Sequence, residues 1–285
     1  MFKNPVFRRF IKRPASVIGG IVLIIFFLTA LFGPLLCRTD PNAINPDICY
    51  QAPSAAHIFG TDNLGRDVFA RIVYGARVSL GVSLCGVLIG AFFGILLGAM
   101  AGYFGKWIDT VISRAIDILL AFPGLLLAIV VVAVLGSGMQ NVIIAIAFYS
   151  VPISARLVRG VVITIRNSEY CQACRVFGAS HARIIATHII PNAMSQIIVN
   201  TTMDLGTAIL TASSLSFLGL GVQPPNPEWG AMLSTARDVI RSAPFAALIP
   251  GVMITLVVLS FSLVGDGLLE LLDRTLRDKV RAERI

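Results

Sequence analysis

Charged residues are scarce in this chain of 285 residues: Asp, Glu, Lys and Arg make up 13% of it, whereas hydrophobic residues make up 56%. Soluble proteins average about 25% charged and about 45–50% apolar residues. The composition therefore excludes an ordinary soluble domain, and its hydrophobicity excludes a disordered chain. Several uncharged runs approach or exceed the roughly 20 residues that a membrane helix needs. The sequence predicts an all-α integral membrane protein.

Catalytic and metal-binding motifs are missing as well. The chain has no P-loop, no H-E-x-x-H and no G-x-S-x-G sequence, and it holds only three histidines. A P-loop is needed to cradle nucleotide phosphates, so we expect neither ATP hydrolysis nor a bound cofactor. Cys171-x-x-Cys174 is followed by His181 and His188, but the gaps of six residues do not fit a zinc finger. We expect no metal site, and the lack of a basic stripe with interleaved aromatics argues against nucleic acid as a partner.

The apolar segments predict six transmembrane helices. We place them at 15–36, 80–103, on either side of a turn at 136–141 within 118–155, between 194 and 222, and at 245–264. A cleaved signal peptide at the N-terminus is the disfavoured alternative, because the first apolar core is long and lacks a small-residue cleavage site. With both termini in the cytoplasm, 17 basic residues lie inside and six lie outside, as the positive-inside rule requires.

This topology divides the chain into three parts. Residues 1–76 hold a basic N-terminal segment, the first span and an outer loop, residues 77–270 form the transmembrane domain, and residues 271–285 form a basic cytoplasmic tail. The outer loop contains Cys37 and Cys49. These two thiols lie on the oxidising side of a bacterial plasma membrane, so a disulfide between them is possible.

Glycine recurs at every fourth position of the second span, at Gly86, Gly90, Gly94, Gly98 and Gly102. Lipid supplies no hydrophobic drive between helices, so close approach through small residues holds such helices together. The stripe predicts a packing face against a neighbouring helix. A sliding surface within a transporter is the alternative.

Polar residues and prolines interrupt the other spans. Asp204 belongs either to an ion route or to the cytoplasmic interface, and we favour the interface. Pro123 and Pro152 permit kinks inside the third and fourth spans. The hydroxyl groups of the fifth span either face water or bond to their own helix, and both readings stay open; they belong to Thr207, Thr211, Ser213, Ser214 and Ser216.

The longest cytoplasmic insertion, residues 162–191, predicts two short helices that meet at Gly178. Asn167 or Ser168 can cap the first helix, Ser180 can cap the second, and Pro191 closes the segment. Such an amphipathic knob outside the bilayer has nothing of its own to pack on. Its exposed face therefore predicts a partner.

This insertion resembles the E-A-A-x3-G-x9-I-x-L-P loop of permease subunits in binding-protein-dependent ABC importers. Ala173, Gly178 and Pro191 match that pattern. Other positions depart from it: Gln172, Cys174, His188 and Ile190 replace Glu, Ala, Ile and Leu. The resemblance implies that the loop couples the permease to an ATPase, through a set that also includes a neighbouring acid: Glu169, Gln172, Ala173, Cys174, Gly178 and Pro191.

Further segments resemble the second, C-type permease subunit of dipeptide, oligopeptide, glutathione and nickel importers. They are residues 57–67, Tyr74-Gly75-Ala76-Arg77, Leu218-Gly219-Leu220-Gly221, Pro227-Glu228-Trp229-Gly230 and Gly265-Asp266-Gly267-Leu268. The resemblance implies the type I ABC importer permease fold in a bacterial inner membrane. It also implies a heterodimer with a homologous permease, two ATPase subunits that bind ATP and Mg, and a periplasmic binding protein.

Short peptides or glutathione are the solutes that this resemblance favours, and nickel is the alternative. A secondary carrier or channel is a competing hypothesis, but it would require inverted repeats or paired intramembrane charges, and the sequence shows neither. A membrane scaffold that only recruits partners is a third hypothesis. Solute uptake that depends on ATP hydrolysis would separate the importer from both.

Overall fold

A computed structural model describes the backbone of residues 13–282 and, apart from Leu36 and residues 272–282, their side chains. The predicted basic residues before Arg13 and the side chains of the basic tail lie outside the described residues. The described chain is almost entirely helical. Its α-helices are α1 (Pro14–Leu36), α2 (Val68–Phe104), α3 (Lys106–Leu120), α4 (Gly124–Leu135), α5 (Met139–Arg166), α6 (Glu169–Val176), α7 (His181–Ile184), α8 (Ile190–Phe217), α9 (Trp229–Ala236) and α10 (Pro244–Ala282).

Four of these helices, α1, α2, α5 and α10, are long and apolar enough to cross a membrane. The pair α3 and α4, which meet at 91°, counts as a fifth span if the two helices act together. Helix α8 has 28 residues and is long enough to cross, but its polar side chains make it less hydrophobic than these spans. By length and composition, the described helices therefore provide four or five spans. This does not confirm the predicted count of six.

Helix α2 begins at Val68, twelve residues before the predicted start of the second span. Asp67 caps it, since its carboxylate accepts a hydrogen bond of 2.7 Å from the backbone N–H of Ala70. The first turns contain Arg71 and Arg77, which obscure the apolar pattern in the sequence. The outer loop is correspondingly shorter than predicted, and the predicted boundaries at 76/77 and 270/271 both fall inside helices, α2 and α10.

The predicted third span is broken rather than kinked. Helix α3 ends at Leu120, and Pro123 precedes the first residue of α4. Proline lacks the N–H group that would continue the helix, and it disfavours the helical conformation of the residue before it. Pro152, in contrast, lies inside the continuous helix α5, as predicted.

Helices α2 and α5 run parallel to each other. Gly86 faces Ile146 near one end of the contact and Gly102 faces Val162 near the other. Because both helices run in the same direction, α3 and α4 must carry the chain back along the part of α2 that contacts α5.

Helix α8 runs antiparallel to α10. Met203 contacts Gly265, whereas Phe261 lies beside Gly206. The start of α8 also corrects the prediction for Pro191, which lies in the first turn of the helix instead of closing the segment before it. Proline has no backbone N–H, so Pro191 donates no hydrogen bond to the preceding turn. A π-helical turn, Ile185–Ile189, joins α7 to α8 without a break.

The outer segment between α1 and α2 is organised around Asp62. Its carboxylate accepts hydrogen bonds from the backbone N–H groups of Leu64 and Arg66, at 2.9 and 3.0 Å, and from Nε of Arg66 at 2.7 Å. His57 contacts Asp67, the cap of α2, at 2.8 Å. Residues 57–67 thus fold into a compact segment at the N-terminal end of α2.

Candidate coupling site

Helix α6 packs through Cys171 against the C-terminal halves of α2 and α5 and the start of α8. This side chain is fully buried in a cluster with apolar residues of α2, α5, α7 and α8. The members that surround it include Ala99, Tyr103, Val158, Val162, Ile184, Ile189 and Ala193. The position of α6 therefore depends on the positions of these helices.

Polar contacts fix the same knob from its sides. Arg166 donates from its guanidinium to the backbone carbonyl of Gly102 at 2.8 Å. The Tyr103 hydroxyl lies 2.8 Å from Nδ1 of His181, and the guanidinium of Arg175 lies 5.1 Å from the centre of the Tyr103 ring. These contacts join the end of α2 to α5, α6 and α7.

Gly178 terminates α6 as the sequence predicts. Its φ of +80° lies in the left-handed region, where a side chain is strained. The N–H of Ala179 bonds to the carbonyl of Cys174 and the N–H of Gly178 bonds to that of Arg175, each at 3.0 Å. This pair of bonds is a Schellman motif, which satisfies carbonyls at the end of the helix. Ser180 then caps α7, accepting from the N–H of Arg183 at 3.4 Å.

The outward face of α6 is apolar and uncovered. Ala173 is exposed, and Val176 and Phe177 expose 84% and 88% of their surface. Large apolar side chains at that exposure, on a knob that lies beyond the membrane helices, mark an interaction surface. We call the surface formed by Ala173, Val176 and Phe177 the docking face.

The remaining predicted coupling residues flank this face. Gln172 is exposed and donates from its side chain to the carbonyl of Asn167 at 3.1 Å, while Glu169 is exposed in the first turn of α6. The Cys174 thiol lies 3.5 Å from Nε2 of His188. Ser168, offered as a cap, instead donates its hydroxyl back to the carbonyl of Ile165.

The glycine stripe of α2 faces α5 along its whole length. A Cβ atom built on Gly94 would lie 2.5 Å from Cβ of Ser154, and one built on Gly98 would lie 2.5 Å from the carbonyl oxygen of Ala155. Contacts this short cannot be relieved by turning a side chain. The stripe thus brings the backbones of α2 and α5 together. Because α6 packs on these two helices, the stripe connects the docking face to the centre of the molecule.

Cys37 and Cys49 are both free thiols in the structure. The Cys49 thiol lies 3.3 Å from the carbonyl oxygen of Asn63. Their pairing is not formed here and stays a prediction. The C-x-x-C pair and the two histidines do not converge either, because His181 bonds to Tyr103 while His188 faces Cys174.

Two ion pairs on the inner half of α5 escaped sequence analysis. Arg159 forms a two-point contact with Asp109 of α3, with one N–O distance of 2.7 Å, and Arg156 pairs with Asp117 of the same helix. Both acids and both arginines sit at helical spacing on their own helices. That spacing was the available signal, but nothing in the sequence shows that α3 lies against α5.

Comparison with known proteins defines the family. Residues 94–278 match the family described as binding-protein-dependent transport system inner membrane component. The chain belongs to this family. Residues 5–53 match a second description, the N-terminal transmembrane domain of oligopeptide transport permease C. The resemblance identified in the sequence is thereby confirmed, and the chain is a transport subunit rather than an enzyme.

Individual relatives cover nearly the whole chain. The dipeptide transport system permease protein DppC of Alkalihalophilus pseudofirmus is 51% identical over 267 residues, which are 94% of this chain and 88% of that protein. The glutathione transport system permease protein GsiD of Pectobacterium atrosepticum is 45% identical over 271 residues, 95% of this chain and 90% of that protein.

Solved structures share the fold at lower identity. The inward-facing methionine ABC transporter MetNI matches with a TM-score of 0.57 at 18% identity, over 69% of this chain and 93% of that chain. An amino acid ABC transporter matches with a TM-score of 0.53 at 18% identity, over 70% and 92%. The predicted permease fold of ABC importers is confirmed. Membership implies ATPase and binding-protein partners for this multi-pass membrane protein.

Proposed function

We propose that the chain forms half of the translocation pathway of an ATP-driven importer for short peptides, dipeptides or glutathione, in a bacterial inner membrane. The docking face is the main support for this proposal. It is an apolar, exposed surface on α6, and α6 packs against the ends of α2, α5 and α8. The names of relatives at 45–51% identity supply the solute class. The chain would bind no cofactor itself, and ATP and Mg would belong to two partner ATPases.

The directions of the helices support six crossings with both termini in the cytoplasm. Helices α2 and α5 are parallel, so α3 and α4 return the chain between them. Helix α8 leads away from the knob and α10 runs back toward it, as their antiparallel contact shows. Ser16 near the start of α1 donates to the carbonyl of Leu263, toward the inner end of α10. With α1, this makes six passes.

A homologous second permease would complete the pathway, and a periplasmic binding protein would deliver the solute to the outer segment. The side chains that face outward from α2 support an additional subunit or lipid around this chain, since Phe92 and Phe93 expose 64% and 49% of their surface.

The test is reconstitution of the chain in proteoliposomes with its genomic neighbours: permease, ATPases and binding protein. We expect uptake of labelled dialanine or glutathione that requires both ATP hydrolysis and the binding protein. Uptake of radioactive nickel but of neither peptide would replace the proposed solute class. Uptake without ATPase subunits would refute the importer and favour a self-sufficient carrier.

A further inference from the structure

The acidic side chain of Asp204 lies near the middle of α8, not at the cytoplasmic end that sequence analysis favoured. Its neighbours Met203 and Gly206 contact Gly265 and Phe261 within the apolar helix α10. One turn earlier, Asn200 lines a crevice together with Ala91 and Ile95, in the C-terminal half of α2, and Ser154, near the centre of α5. Asp204 is therefore a carboxylate at membrane depth.

No basic group compensates this carboxylate in the described part of the chain. Asp204 is half-buried and accepts one hydrogen bond, from Nδ2 of Asn200 at 3.0 Å. Among residues 13–271, the structure contains no ion pair to it. An ionisable residue in a membrane helix is costly and persists where it faces water or a charged partner.

Polar residues continue from Asp204 along one face of α8. Asn200, Asp204, Thr207 and Thr211 follow one another at spacings of four, three and four residues, which places them in one stripe. Thr207 is exposed in this chain. The Thr211 hydroxyl donates to the carbonyl of Thr207 in the same helix at 2.9 Å, so the groups that fit a polar pathway are those of Asn200, Asp204 and the exposed Thr207.

Three buried hydroxyl groups on α5 and α8 also bear on this region. Tyr149, Ser150 and Ser213 are 95% or more buried, and their hydroxyl oxygens have no hydrogen-bond partner among the described residues. Tyr149 packs with Ala208 and Ala212 of α8. Buried polar groups normally have partners. Ser150 packs against Gly90 of α2 and Ser213 lies against Gly230 of α9, so of the three only Tyr149 points to water or a polar guest near α8.

We propose that Asp204 is the cation-accepting group of the translocation pathway and that its ligand is the α-ammonium group of the passing peptide. This proposal rests on the proposed function, which supplies the peptide as the class of solute. An ammonium group brings one positive charge and three N–H donors. The carboxylate of Asp204 neutralises the charge and accepts one or two of the donors, while nearby hydroxyl oxygens such as that of Thr207 accept the remainder. Asn200 orients the carboxylate.

The first test needs no solute. Thr207→Cys is made in a chain whose five native cysteines are replaced, and it is treated in the assembled transporter with a trimethylammonium or a sulfonate methanethiosulfonate reagent. We expect the cationic reagent to react at least about tenfold faster than the anionic one, because Asp204 lies one turn away. Asp204→Asn should abolish this preference. Ala208→Cys, on the buried side of α8, should resist both reagents.

The second test measures equilibrium binding of labelled dialanine and N-acetyl-dialanine to the purified transporter without its binding protein. We expect acetylation to raise the Kd at least about tenfold for the native chain. Asp204→Asn should make the two peptides equal, and Asp204→Glu should restore the difference.

Three results would overturn the proposal: equal reaction of both thiol reagents at Thr207→Cys, no effect of acetylation on the Kd, or preserved selectivity in Asp204→Asn. Failure of the proposed function is a separate outcome. A native transporter that imports neither dialanine nor glutathione would remove the peptide class, while the charge preference at Thr207→Cys would still decide whether Asp204 faces a cationic pathway.

Discussion

The hydroxyl of Ser79 donates a hydrogen bond of 3.2 Å to the carboxylate of Glu228, 149 positions later in the chain. The same oxygen accepts a bond of 3.2 Å from the backbone N–H of Trp229, whose ring N–H donates to the carbonyl of Ile72 at 3.1 Å. Ser79, Glu228 and Trp229 are all buried. Together they fasten α9, in the outer segment between α8 and α10, to the outer half of α2.

Burial raises the pKa of Glu228, against the opposing effect of its hydrogen bonds. The folded protein therefore binds this proton more tightly than the unfolded chain does. Its stabilising contribution is present below the ordinary pKa of a glutamate and is lost as the pH rises through the raised, folded-state pKa. We expect thermal stability to fall over that range, by about 1.4 kcal/mol per unit of pKa difference.

Glu228→Gln should flatten this dependence in thermal unfolding of the detergent-solubilised transporter. Glu169→Gln, at an exposed position, is the control and should keep the native slope. A native protein whose stability rises across the same range would contradict the assignment of the slope to Glu228.

Ser79→Ala should destabilise the outer segment by about 1–3 kcal/mol, because it leaves a buried carboxylate and a buried N–H group without their shared partner. Ser83 supplies a matched control one turn further along α2. It is equally buried, but its hydroxyl bonds only to the carbonyl of Ser79 in its own helix. Denaturation midpoints of Ser79→Ala and Ser83→Ala should differ clearly, and equal midpoints would show that the link to α9 contributes nothing.

Gly94→Leu should prevent assembly of the helices. The first added atom would lie 2.5 Å from Cβ of Ser154 and 2.9 Å from the carbonyl oxygen of Val151, so α2 and α5 would have to separate. A Cβ atom built on Gly81, in the same helix, meets nothing within 4 Å, so Gly81→Leu should be tolerated. Size-exclusion profiles of the two variants provide the comparison. A normal profile for Gly94→Leu would refute the close contact.

The features that could be predicted from the sequence are those that depend on the spacing of residues close together in the chain. The four-residue glycine repeat indicated a packing face, and Gly178 between two short polar segments indicated the turn after α6. The contact of Ser79 with Glu228 could not be predicted, because it joins positions far apart in sequence. The predicted start of α2 was wrong because the partners of its arginines lie far away in the sequence. Arg71 donates to the carbonyl of Pro41, and Arg77 donates to the carbonyl of Ala30.

A disulfide between Cys37 and Cys49 should form in protein taken from the cell. Both thiols lie in the outer loop, with Cys49 exposed, and closing a loop of this length would contribute about 3 kcal/mol in the chain-entropy model. Mass spectrometry of peptides prepared without reductant measures it directly. Two alkylated thiols in that preparation would show that the free state seen in the structure is the native one.

Ala173→Arg should uncouple ATP hydrolysis from transport without disturbing the fold. Ala173 lies on the docking face, where its side chain is exposed, so the chain itself has room for arginine. An arginine adds bulk and a positive charge to an apolar surface that a partner must cover. We expect the variant to reach the membrane in normal amounts, to lose its ATPase subunits during purification and to reduce uptake by at least about tenfold.

Ala186→Arg is the control for this variant. Ala186 is also small and exposed within residues 162–191, but it belongs to the π-helical turn and not to the docking face. The control should retain its ATPase subunits, so that charge alone does not account for the effect. The coupling role fails if Ala173→Arg co-purifies with the ATPases and imports solute at the native rate. It also fails if both arginines abolish uptake equally, because the docking face would then have no special part in coupling.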